Sequence, residues 1–479
     1  MNIFDICDII IFVRIILIKI ILRRIKMKFY NRKKELEFFS KLKKEKNKKF
    51  VVIYGRRRVG KTSLVKEAFK DEKDVFYHFV EVKKEESLLR ELSLAFSKAI
   101  YANWYDLFTD LFSKYKYVIF DEFQNFTRVN KNIFYALQHA WDENKSNTKF
   151  IVLGSYVGLM KNLFMDEKMP LFGRADYIVK LKEFSLRETM RMLSDFGYNL
   201  LDAFQIYAMV GGIPRYLWLF ENKKDLKSSI YEVFLNYFAP LKDEAKNILV
   251  LEFGSESRTY FSILEALAGG MKSSSEISDI TGIEITTLPK YLEDLTKVYE
   301  LTEKVLPLFS KKRKKSKFAI KDLFYNFYFY NVYRNYSLLE FVPEKALKMI
   351  LKNFNNYMGI AFERICKAFI VENYELFNFF PKSIGKTWGK VPYRKNESFD
   401  IDIVAFDEKT VLFGECKWRN KEIDIGEYEK LKIRSEFVNV GNRRRKYVIF
   451  SKNGFKEDLV NLKSENLYLL SLKDIEKFF

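Results

Sequence analysis

Residues 49–62 read KFVVIYGRRRVGKT, an apolar run that leads into a glycine-rich loop. The loop from Gly55 to Thr62 fits the pattern G-x-x-x-x-G-K-[ST], and it lies between a predicted strand and a predicted helix. In that context the backbone N–H groups of the loop face phosphates, and the dipole of the following helix favours the same anion. The stretch therefore predicts a phosphate-binding P-loop at the edge of a parallel sheet.

The residues of this loop have predicted roles in binding a nucleoside triphosphate with its magnesium ion. Lys61 is expected to reach the β- and γ-phosphates, and Thr62 is expected to ligate Mg²⁺. A glycine turn formed by chance is the competing interpretation, and the flanking strand and helix make it the weaker one. The predicted nucleotide-binding residues are Gly55, Arg56, Arg57, Arg58, Val59, Gly60, Lys61 and Thr62.

A second predicted strand, YVIFDE at 117–122, ends in two adjacent carboxylates. Ligands of parallel α/β sheets bind at the carboxyl ends of the strands, where these two side chains are expected to lie. Asp121 is therefore a predicted ligand of the magnesium shell, and Glu122 is predicted to orient or deprotonate the attacking water. A solvated strand end is the alternative interpretation.

Two further polar residues are candidates for the same site. Ser155 ends the run FIVLGS, so its hydroxyl is expected near the γ-phosphate or the attacking water. Arg174, in LFGRAD, is expected to neutralise transition-state charge as an arginine finger. An ordinary strand-end serine and a surface arginine remain the open alternatives at these two positions.

The order of apolar runs and helical stretches predicts the domains. Five strand-like runs alternate with amphipathic helices, which indicates a parallel sheet covered by helices. After Ser185 the strands stop, and Ser-Leu-Arg-Glu at 185–188 is typical of a capping box that opens a helical region. Three short helices and two strands around SKKRKKSK then indicate a winged helix. The predicted strands are 49–55, 75–80, 117–122, 150–155 and 177–181.

This order leads to six predicted segments. The first, residues 1–26, is an apolar run broken by Arg14 and Lys19, and it is interpreted as an extension upstream of a natural start at Met27, with a membrane span as the less convincing alternative. The others are a P-loop core (27–184), a helical lid (185–250), a winged helix (251–325), a helical connector (326–355) and a C-terminal α/β domain (356–479).

Composition limits the class of protein and its partners. Hydrophobic residues make up 48% of the 479 residues, which argues against disorder. Three isolated cysteines and two histidines exclude a disulfide framework and a histidine-rich metal site, and they fit a reducing cytoplasm. The net charge of +21 favours a polyanionic partner or, equally, a lysine-rich solvated surface. The basic run 311–315 at the predicted wing tip suits nucleic-acid phosphates, with a solvated loop as the open alternative.

The C-terminal domain carries a second set of candidate residues. Strand alternation puts Asp400 and Asp402 on one face of FDIDIVAF, and it puts Glu415 and Lys417 on one face of VLFGECKW. Two carboxylates can hold Mg²⁺ while a lysine activates water for attack on a phosphodiester. Glu363 lies on the apolar face of an upstream helix, where a metal site would supply its partner. The predicted metal ligands are Asp402, Glu415 and Glu363, and Lys417 is the predicted catalytic residue that positions or activates the water. A hairpin with an exposed Glu-Lys pair remains the open alternative.

Several motifs in a fixed order resemble the archaeal ATPase family of the AAA+/STAND division of P-loop proteins. They are FYNRKKEL (29–36), GRRRVGKT (55–62), VIFDEFQ (118–124), VLGS (152–155), LFGR (171–174) and GGIPRYL (211–217). The resemblance implies ATP as the nucleotide and Mg²⁺ as its metal. It also implies adenine contacts at Asn31, Arg32, Ile213 and Pro214.

The C-terminal residues resemble the PD-(D/E)xK phosphodiesterases, the restriction-endonuclease-like α/β domains, although no literal Pro-Asp is present and Asp400 competes for the first carboxylate. The leading interpretation is an ATP-hydrolysing switch or motor that acts on nucleic acid and carries a nuclease-like domain. The alternative is a regulatory ATP-binding module with slow or no turnover and a catalytically inactive nuclease-like domain. The oligomeric state is left open by the sequence.

Overall fold

The strands of the first sheet are the apolar runs that the sequence singles out. In the computed structural model, which describes residues 29–310, 316–392, 397–462 and 464–479, each of them lies within one residue of its predicted bounds. Neighbouring strands in the order β2-β3-β4-β1-β5 are all parallel. The strands are β1 (Lys49–Tyr54), β2 (Val75–Phe79), β3 (Tyr117–Asp121), β4 (Lys149–Gly154) and β5 (Tyr177–Lys180).

Helices cover both faces of this sheet, because alternate residues of its inner strands are apolar on either side. Phe50 and Val52 of β1 lie in the core on one face, whereas Val51 and Ile53 lie in the core on the other. A strand buried on both faces is typical of a parallel sheet. The helices are α1 (Lys33–Leu42), α2 (Lys61–Phe69), α3 (Glu85–Phe96), α4 (Trp104–Lys114), α5 (Phe126–Val129), α6 (Ile133–Glu143) and α7 (Val157–Met165).

The helical region after the sheet begins at Ser185, as predicted. The Ser185 side chain accepts a hydrogen bond from the backbone N–H of Glu188, and the Glu188 side chain accepts one from the backbone N–H of Ser185, so the capping box is confirmed. Its helices are α8 (Leu186–Asp195), α9 (Leu200–Val210), α10 (Pro214–Leu217), α11 (Leu226–Ile230) and α12 (Glu244–Phe253).

Three helices and an antiparallel hairpin follow, in the order that the sequence indicates for a winged helix. The hairpin pairs β6 with β7, and Thr302 lies opposite Ile320. The basic run at 311–315 lies outside the described residues. The elements are α13 (Ser257–Ala268), α14 (Ser274–Thr281), α15 (Leu288–Glu293), β6 (Thr302–Val305) and β7 (Lys317–Ile320).

The connector and the C-terminal domain are not separated where the sequence places their boundary. A single helix of 30 residues, α18 (Pro343–Glu372), runs through the predicted boundary at 355/356, and the boundaries at 250/251 and 325/326 also fall within helices. The physical reason is a continuous apolar core, which extends from the helical region through α18 into the second sheet. The two shorter helices before α18 are α16 (Leu323–Phe327) and α17 (Tyr336–Phe341).

The second sheet is mixed and has the strand order β12-β11-β10-β9-β8. The pairs β8–β9 and β9–β10 are antiparallel, whereas β10–β11 and β11–β12 are parallel. The strands are β8 (Ser383–Lys390), β9 (Ser398–Phe406), β10 (Thr410–Lys417), β11 (Arg444–Ser451) and β12 (Leu467–Ser471). The helices of this domain are α19 (Ile425–Glu436), α20 (Glu457–Val460) and α21 (Leu472–Glu476).

The helices of the described part of the chain include no membrane span, because none of them is both long and apolar enough to cross a bilayer. Residues 1–26, for which the sequence predicts an extension, lie outside the described residues.

Candidate functional site

The P-loop joins the carboxyl end of β1 to the start of α2, at an edge of the first sheet where several strands end. Two glycines permit its path. A Cβ at Gly55 would lie 2.3 Å from the carbonyl oxygen of Leu181, and Gly60 has a φ of +94°. A side chain at Gly55 would clash with the backbone, and one at Gly60 would strain it. The loop therefore depends on glycine at both positions.

Lys61 and Thr62 occupy the first turn of α2. Lys61 is buried, and its Nζ donates to the carbonyl oxygens of Gly55 at 2.8 Å and Arg56 at 3.0 Å, so it folds back over the loop. Burial lowers the pKa of Lys61 to about 8, while the neighbouring Glu122 and Asp121 act in the opposite direction. The Nζ thus lies within the loop that the motif predicts as the phosphate cradle.

The carboxylates at the end of β3 lie beside Thr62. The Thr62 Oγ1 donates to the Oδ2 of Asp121 at 2.6 Å, although these residues are on different elements and one strand, β4, lies between β1 and β3. Tyr77 of β2 donates its hydroxyl to the same oxygen at 2.9 Å. A hydroxyl and a carboxylate in contact at a P-loop form a donor set that fits a hard divalent cation such as Mg²⁺.

Glu122 is held in an unusual backbone conformation next to this pair. Its φ is +53°, in the left-handed region that glutamate rarely adopts, and such strain is concentrated at functional sites. The hydroxyl of Ser155, at the end of β4, donates to the Oε2 of Glu122 at 2.6 Å. The structure therefore brings Ser155, Glu122, Asp121 and Thr62 together at one edge of the sheet.

Arg174 does not lie with these residues, and its role as an arginine finger stays a prediction. It precedes β5, and β5 runs parallel to β1, so Arg174 lies at the opposite edge of the sheet from the P-loop. Its guanidinium donates to Asp142 at 3.2 Å and to the carbonyl oxygen of Phe172 at 3.0 Å. The sequence around Arg174 did not show at which edge of the first sheet this arginine would lie.

The side chains of the P-loop arginines contact the second half of the chain. Arg56 forms an ion pair with the buried Asp322, just before α16, and its guanidinium lies 4.9 Å from the ring centre of Tyr325. Arg58 pairs with Glu244, at the start of α12, with 2.8 Å between Nε and Oε1. Sequence reasoning missed both partners, because no local pattern relates them to the loop. The loop is therefore tied directly to α12 and α16.

A cavity of about 610 Å³ adjoins the loop on the side of Ser155. Arg56, Arg57 and Ser155 line it together with Glu252 of α12. Burial raises the pKa of Glu252 to about 7, while Arg56, Arg57 and Lys61 act to lower it. A carboxylate from the helical region thus shares the electrostatic environment of the phosphate-binding lysine.

The residues predicted to contact adenine have different surroundings. The Nη2 of Arg32 donates to the carbonyl oxygens of Val59 at 3.0 Å and Lys182 at 2.6 Å, so Arg32 braces the P-loop against the segment after β5. Asn31 donates to Glu188. Ile213 and Pro214 begin α10. The adenine contacts at these four residues remain predictions.

The C-terminal candidates also approach one another. Gly414 of β10 pairs with Ile403 of β9, so the adjacent Glu415 and Asp402 lie side by side; Asp402 accepts a hydrogen bond from the backbone N–H of Cys416 at 3.0 Å. Burial raises the pKa of Glu415, and the charge of Asp402 raises it further. Lys417 is not turned to solvent, because it pairs with Glu415 and, at 3.3 Å, with Glu427.

Glu363 of α18 faces the same carboxylates but has a lysine partner that the sequence did not indicate. It pairs with Lys386 of β8. Burial raises the pKa of Glu363 to about 7, Lys386 lowers it and the charge of Asp402 raises it again. The three predicted ligands are thus neighbours, each surrounded by cationic or backbone donors.

The predicted three-ligand metal group is not assembled in this arrangement. Across the described ranges, no group of three or more His, Cys, Asp or Glu side chains is placed to hold a metal ion. Instead, two of the three carboxylates are in ion pairs, Glu363 with Lys386 and Glu415 with Lys417. One observation does fit a cation: the Oε2 of Glu415 is buried and has no hydrogen-bond partner among the described residues.

Two family models match the chain. Residues 29–220 match a model described as an ATPase domain predominantly from Archaea. Residues 328–431 match a model of archaeal and bacterial proteins of unknown function. The first match contains the residues that meet at the P-loop end of the sheet, here called the P-loop edge: Lys61, Thr62, Tyr77, Asp121, Glu122 and Ser155. The second contains Glu363, Asp402, Glu415 and Lys417.

Two curated proteins of Methanocaldococcus jannaschii are similar in sequence. The uncharacterised protein MJECL04 is 31% identical over 439 residues, which cover 88% of this chain and 95% of that protein. The uncharacterised ATP-binding protein MJ0423 is 47% identical over 45 residues, which cover 9% of this chain and 76% of that protein.

Two solved structures have a related fold. The Walker-type ATPase PABY2304 of Pyrococcus abyssi is 21% identical and has a TM-score of 0.47, with 64% of this chain and 97% of that chain covered. The ORC2 protein of Aeropyrum pernix, in its ADPNP–ADP complexes, is 17% identical and has a TM-score of 0.45, with 68% and 96% covered.

Proposed function

Because the chain belongs to the family of the Methanocaldococcus jannaschii protein MJECL04 and carries an archaeal ATPase domain at residues 29–220, we propose that it is a Mg²⁺-dependent ATPase that acts as a nucleotide-driven switch or motor on nucleic acid. The observation that carries this proposal is the contact between Thr62 and Asp121 beside the buried Lys61. A P-loop lysine, a hydroxyl and a strand-end carboxylate in contact are the set that phosphoryl transfer requires.

The residues of the P-loop edge divide the work of hydrolysis. Backbone N–H groups of residues 55–62 bind the phosphates, and Lys61 leaves the carbonyl oxygens of Gly55 and Arg56 to reach the β- and γ-phosphates. Thr62 and Asp121 would hold the magnesium ion, which would neutralise phosphate charge. Glu122 accepts a proton from, or orients, the attacking water, and Ser155 holds the Glu122 carboxylate in place.

The contacts of the loop arginines support the switch. Arg56 and Arg58 lie between the two glycines that shape the phosphate cradle, and their partners Asp322 and Glu244 lie in the second half of the chain. A triphosphate places negative charge next to arginines that already hold carboxylates, so binding must change the balance of these ion pairs. The state of the nucleotide site is thereby transmitted to α12 and α16.

A turnover assay tests the proposal and separates it from the regulatory module with slow or no turnover. We expect the wild type to hydrolyse ATP in Mg²⁺, and Glu122→Gln to retain ATP binding while its kcat falls by about 10²- to 10³-fold, as for loss of a general base. Turnover that DNA stimulates supports the proposal as a motor, whereas turnover that is absent, or slow and unchanged by DNA, supports the regulatory module. Equal kcat in Glu122→Gln removes this residue from the catalytic role.

We further propose that the C-terminal domain has phosphodiesterase activity. The observation that favours it is that Glu363, Asp402 and Glu415, from three separate elements, lie beside Lys417, and that the charge of Asp402 raises the pKa of both glutamates. The unpartnered oxygen of Glu415 fits a cation, although within the described residues the three carboxylates are not assembled around one ion.

Cleavage of a labelled oligonucleotide in Mg²⁺ or Mn²⁺ tests this activity. Asp402→Ala and Lys417→Ala are each expected to abolish cleavage while ATP hydrolysis continues, because neither residue belongs to the P-loop edge. Cleavage that persists in both variants comes from a contaminant. No cleavage by the wild type with either metal contradicts the proposal and leaves a domain used for binding.

A further inference from the structure

A groove separates the hairpin unit, formed by α13, β6 and β7, from the edge strand β8 of the second sheet. The segment after β6 is bonded to β8: the backbone N–H of Leu308 donates to the carbonyl oxygen of Lys386 at 2.9 Å, and the Thr387 hydroxyl donates to the carbonyl oxygen of Leu308 at 2.7 Å. The hairpin unit is therefore a fixed wall of the groove.

Two cavities lie along this groove. The first, about 410 Å³, contains Glu363, Arg364 and Asp402, and the second, about 450 Å³, contains Trp388. Both are lined by Lys386, which therefore stands between them. Each volume is within the range of a pocket for one small ligand, so together they suit two successive units of a chain.

The first cavity contains a strong signal for an anion. Arg364 is half-buried, its Nη2 donates to the carbonyl oxygen of Ile320, and its Nη1 is buried without a hydrogen-bond partner in the described part of the chain. A buried guanidinium N–H without an acceptor is costly unless a ligand supplies one. Lys304 and Lys367 line the same cavity. These cations suit a phosphate group.

Acidic side chains line the same cavity. Glu303, Glu363 and Asp402 lie there together with Lys386. A ligand that satisfies this mixed lining needs negative oxygens for Arg364 and the lysines, and it must tolerate the carboxylates through a bound cation or through Lys386. A phosphodiester with its counter-cation has this chemistry, whereas a simple acidic peptide is repelled by the three carboxylates.

The second cavity offers an aromatic surface beside positive charge. Trp388 lines it, and the Lys317 ammonium lies 5.6 Å from the centre of the Trp388 ring. Lys390 lies at the end of the same strand and lines the same cavity. An aromatic ring beside lysines is the combination with which proteins stack an unpaired base and hold its backbone.

We propose that this groove binds a single unpaired nucleic-acid strand, with a phosphate at Arg364 in the first cavity and a neighbouring base against Trp388 in the second. A single strand is favoured over a duplex, because the bases of a duplex are already paired and stacked on one another and so cannot stack on Trp388. The inference rests on the proposed phosphodiesterase function, since it names the substrate class of that same domain.

Binding without cleavage tests the groove separately from catalysis. Fluorescence anisotropy in EDTA, without ATP, compares a labelled single-stranded oligonucleotide with its duplex, using the full chain. We expect the single strand to bind more tightly. Trp388→Ala is expected to weaken single-strand binding roughly tenfold, as for the loss of one stacked base. RNA of the same sequence shows which sugar is preferred.

A second set of variants keeps the test valid if Trp388→Ala unfolds. Lys317→Gln and Lys390→Gln are each expected to reduce the slope of log K against log salt by about 0.7, as for one lost phosphate contact to a single strand. Lys297→Gln, an exposed lysine outside the groove, is the matched control and is expected to leave the slope unchanged.

The outcomes separate the two proposals. Duplex binding equal to or tighter than single-strand binding overturns the inference, as does unchanged affinity in all three groove variants. Groove-dependent single-strand binding without cleavage in any metal supports the inference and removes the phosphodiesterase activity. Cleavage that is insensitive to the groove variants overturns the inference alone.

Discussion

The P-loop edge and the C-terminal carboxylates bring together similar kinds of side chain but differ in how these are paired. At the P-loop edge, Asp121 accepts hydrogen bonds from hydroxyls, and the Nζ of Lys61 donates only to backbone carbonyls. In the C-terminal domain, Glu363 and Glu415 are each in contact with a lysine. Phosphates can replace the carbonyl partners of Lys61, whereas a metal must displace an ion pair at the second site.

The difference shows what charge pairing does to a site. A lysine bonded to carbonyls keeps its charge for an anionic ligand, and only hydrogen bonds are exchanged when that ligand arrives. A carboxylate paired with a buried lysine has already lost part of its attraction for a cation, since removing either partner is costly. We therefore expect the P-loop edge to bind phosphates by exchanging hydrogen bonds, whereas the C-terminal carboxylates must break their ion pairs before they can bind a metal ion.

The largest expected effect is a loss of ATP affinity at the P-loop edge. Lys61→Ala should lower ATP affinity by about 10²- to 10⁴-fold, because each lost hydrogen bond to a charged group costs about 1.5–3 kcal/mol and Lys61 is expected to reach two phosphates. Titration calorimetry measures it. Lys70→Ala, exposed just after the same helix, is the control and should bind ATP normally. A loss of ATP affinity below tenfold for Lys61→Ala contradicts the view that Lys61 is available to bind phosphates.

The next effect is a loss of stability when the ion pair between the P-loop and Asp322 is removed. Asp322→Asn should destabilise the protein by about 3 kcal/mol, because it leaves Arg56 without its largely buried partner. Asparagine is also a good N-cap, so the bond from the backbone N–H of Tyr325 to the Asp322 side chain is retained and the ion pair alone is tested.

Its matched variant is Glu244→Gln, which removes the partner of Arg58. The Arg58 side chain is 42% exposed, so this loss should cost under about 1 kcal/mol. Urea unfolding followed by tryptophan fluorescence compares the two variants with the wild type. Equal destabilisation by Asp322→Asn and Glu244→Gln would contradict the prediction that Arg56–Asp322 is the stronger ion pair.

A third effect concerns pH at the C-terminal carboxylates. Burial raises the pKa of Glu363 from 4.5 to about 7, with Lys386 opposing and Asp402 and Asp400 adding to the rise. The folded state therefore binds this proton more tightly than the unfolded state. The resulting stability is present below about pH 4.5 and is lost as pH rises through about 7, by about 3 kcal/mol.

Unfolding measured across this pH window checks the sign. Glu363→Gln should flatten the fall in stability, while Glu408→Gln, an exposed carboxylate paired with Lys382, should leave it as in the wild type. A wild type that becomes more stable from about pH 4.5 to 7 through this residue contradicts the raised pKa.

Much of the first sheet was predictable because its signals are local. The five strands lie within one residue of their predicted bounds, since buried parallel strands are continuous apolar runs. The capping box at Ser185 was also readable, because its two hydrogen bonds join residues three apart. The domain boundary predicted at 355/356 falls inside α18, which packs on both of its neighbours, and the sequence shows no break in a helix that serves two cores.

By itself, the sequence determined the P-loop and the strand-end carboxylates, because a helix start and a strand end place their own residues through backbone geometry alone. Only the tertiary structure decided which edge Arg174 occupies, which carboxylates hold Arg56 and Arg58, and that Lys386 lies against Glu363. These contacts join residues far apart in the chain. Their formation depends on how packed elements align, and short-range periodicity contains no information about that alignment.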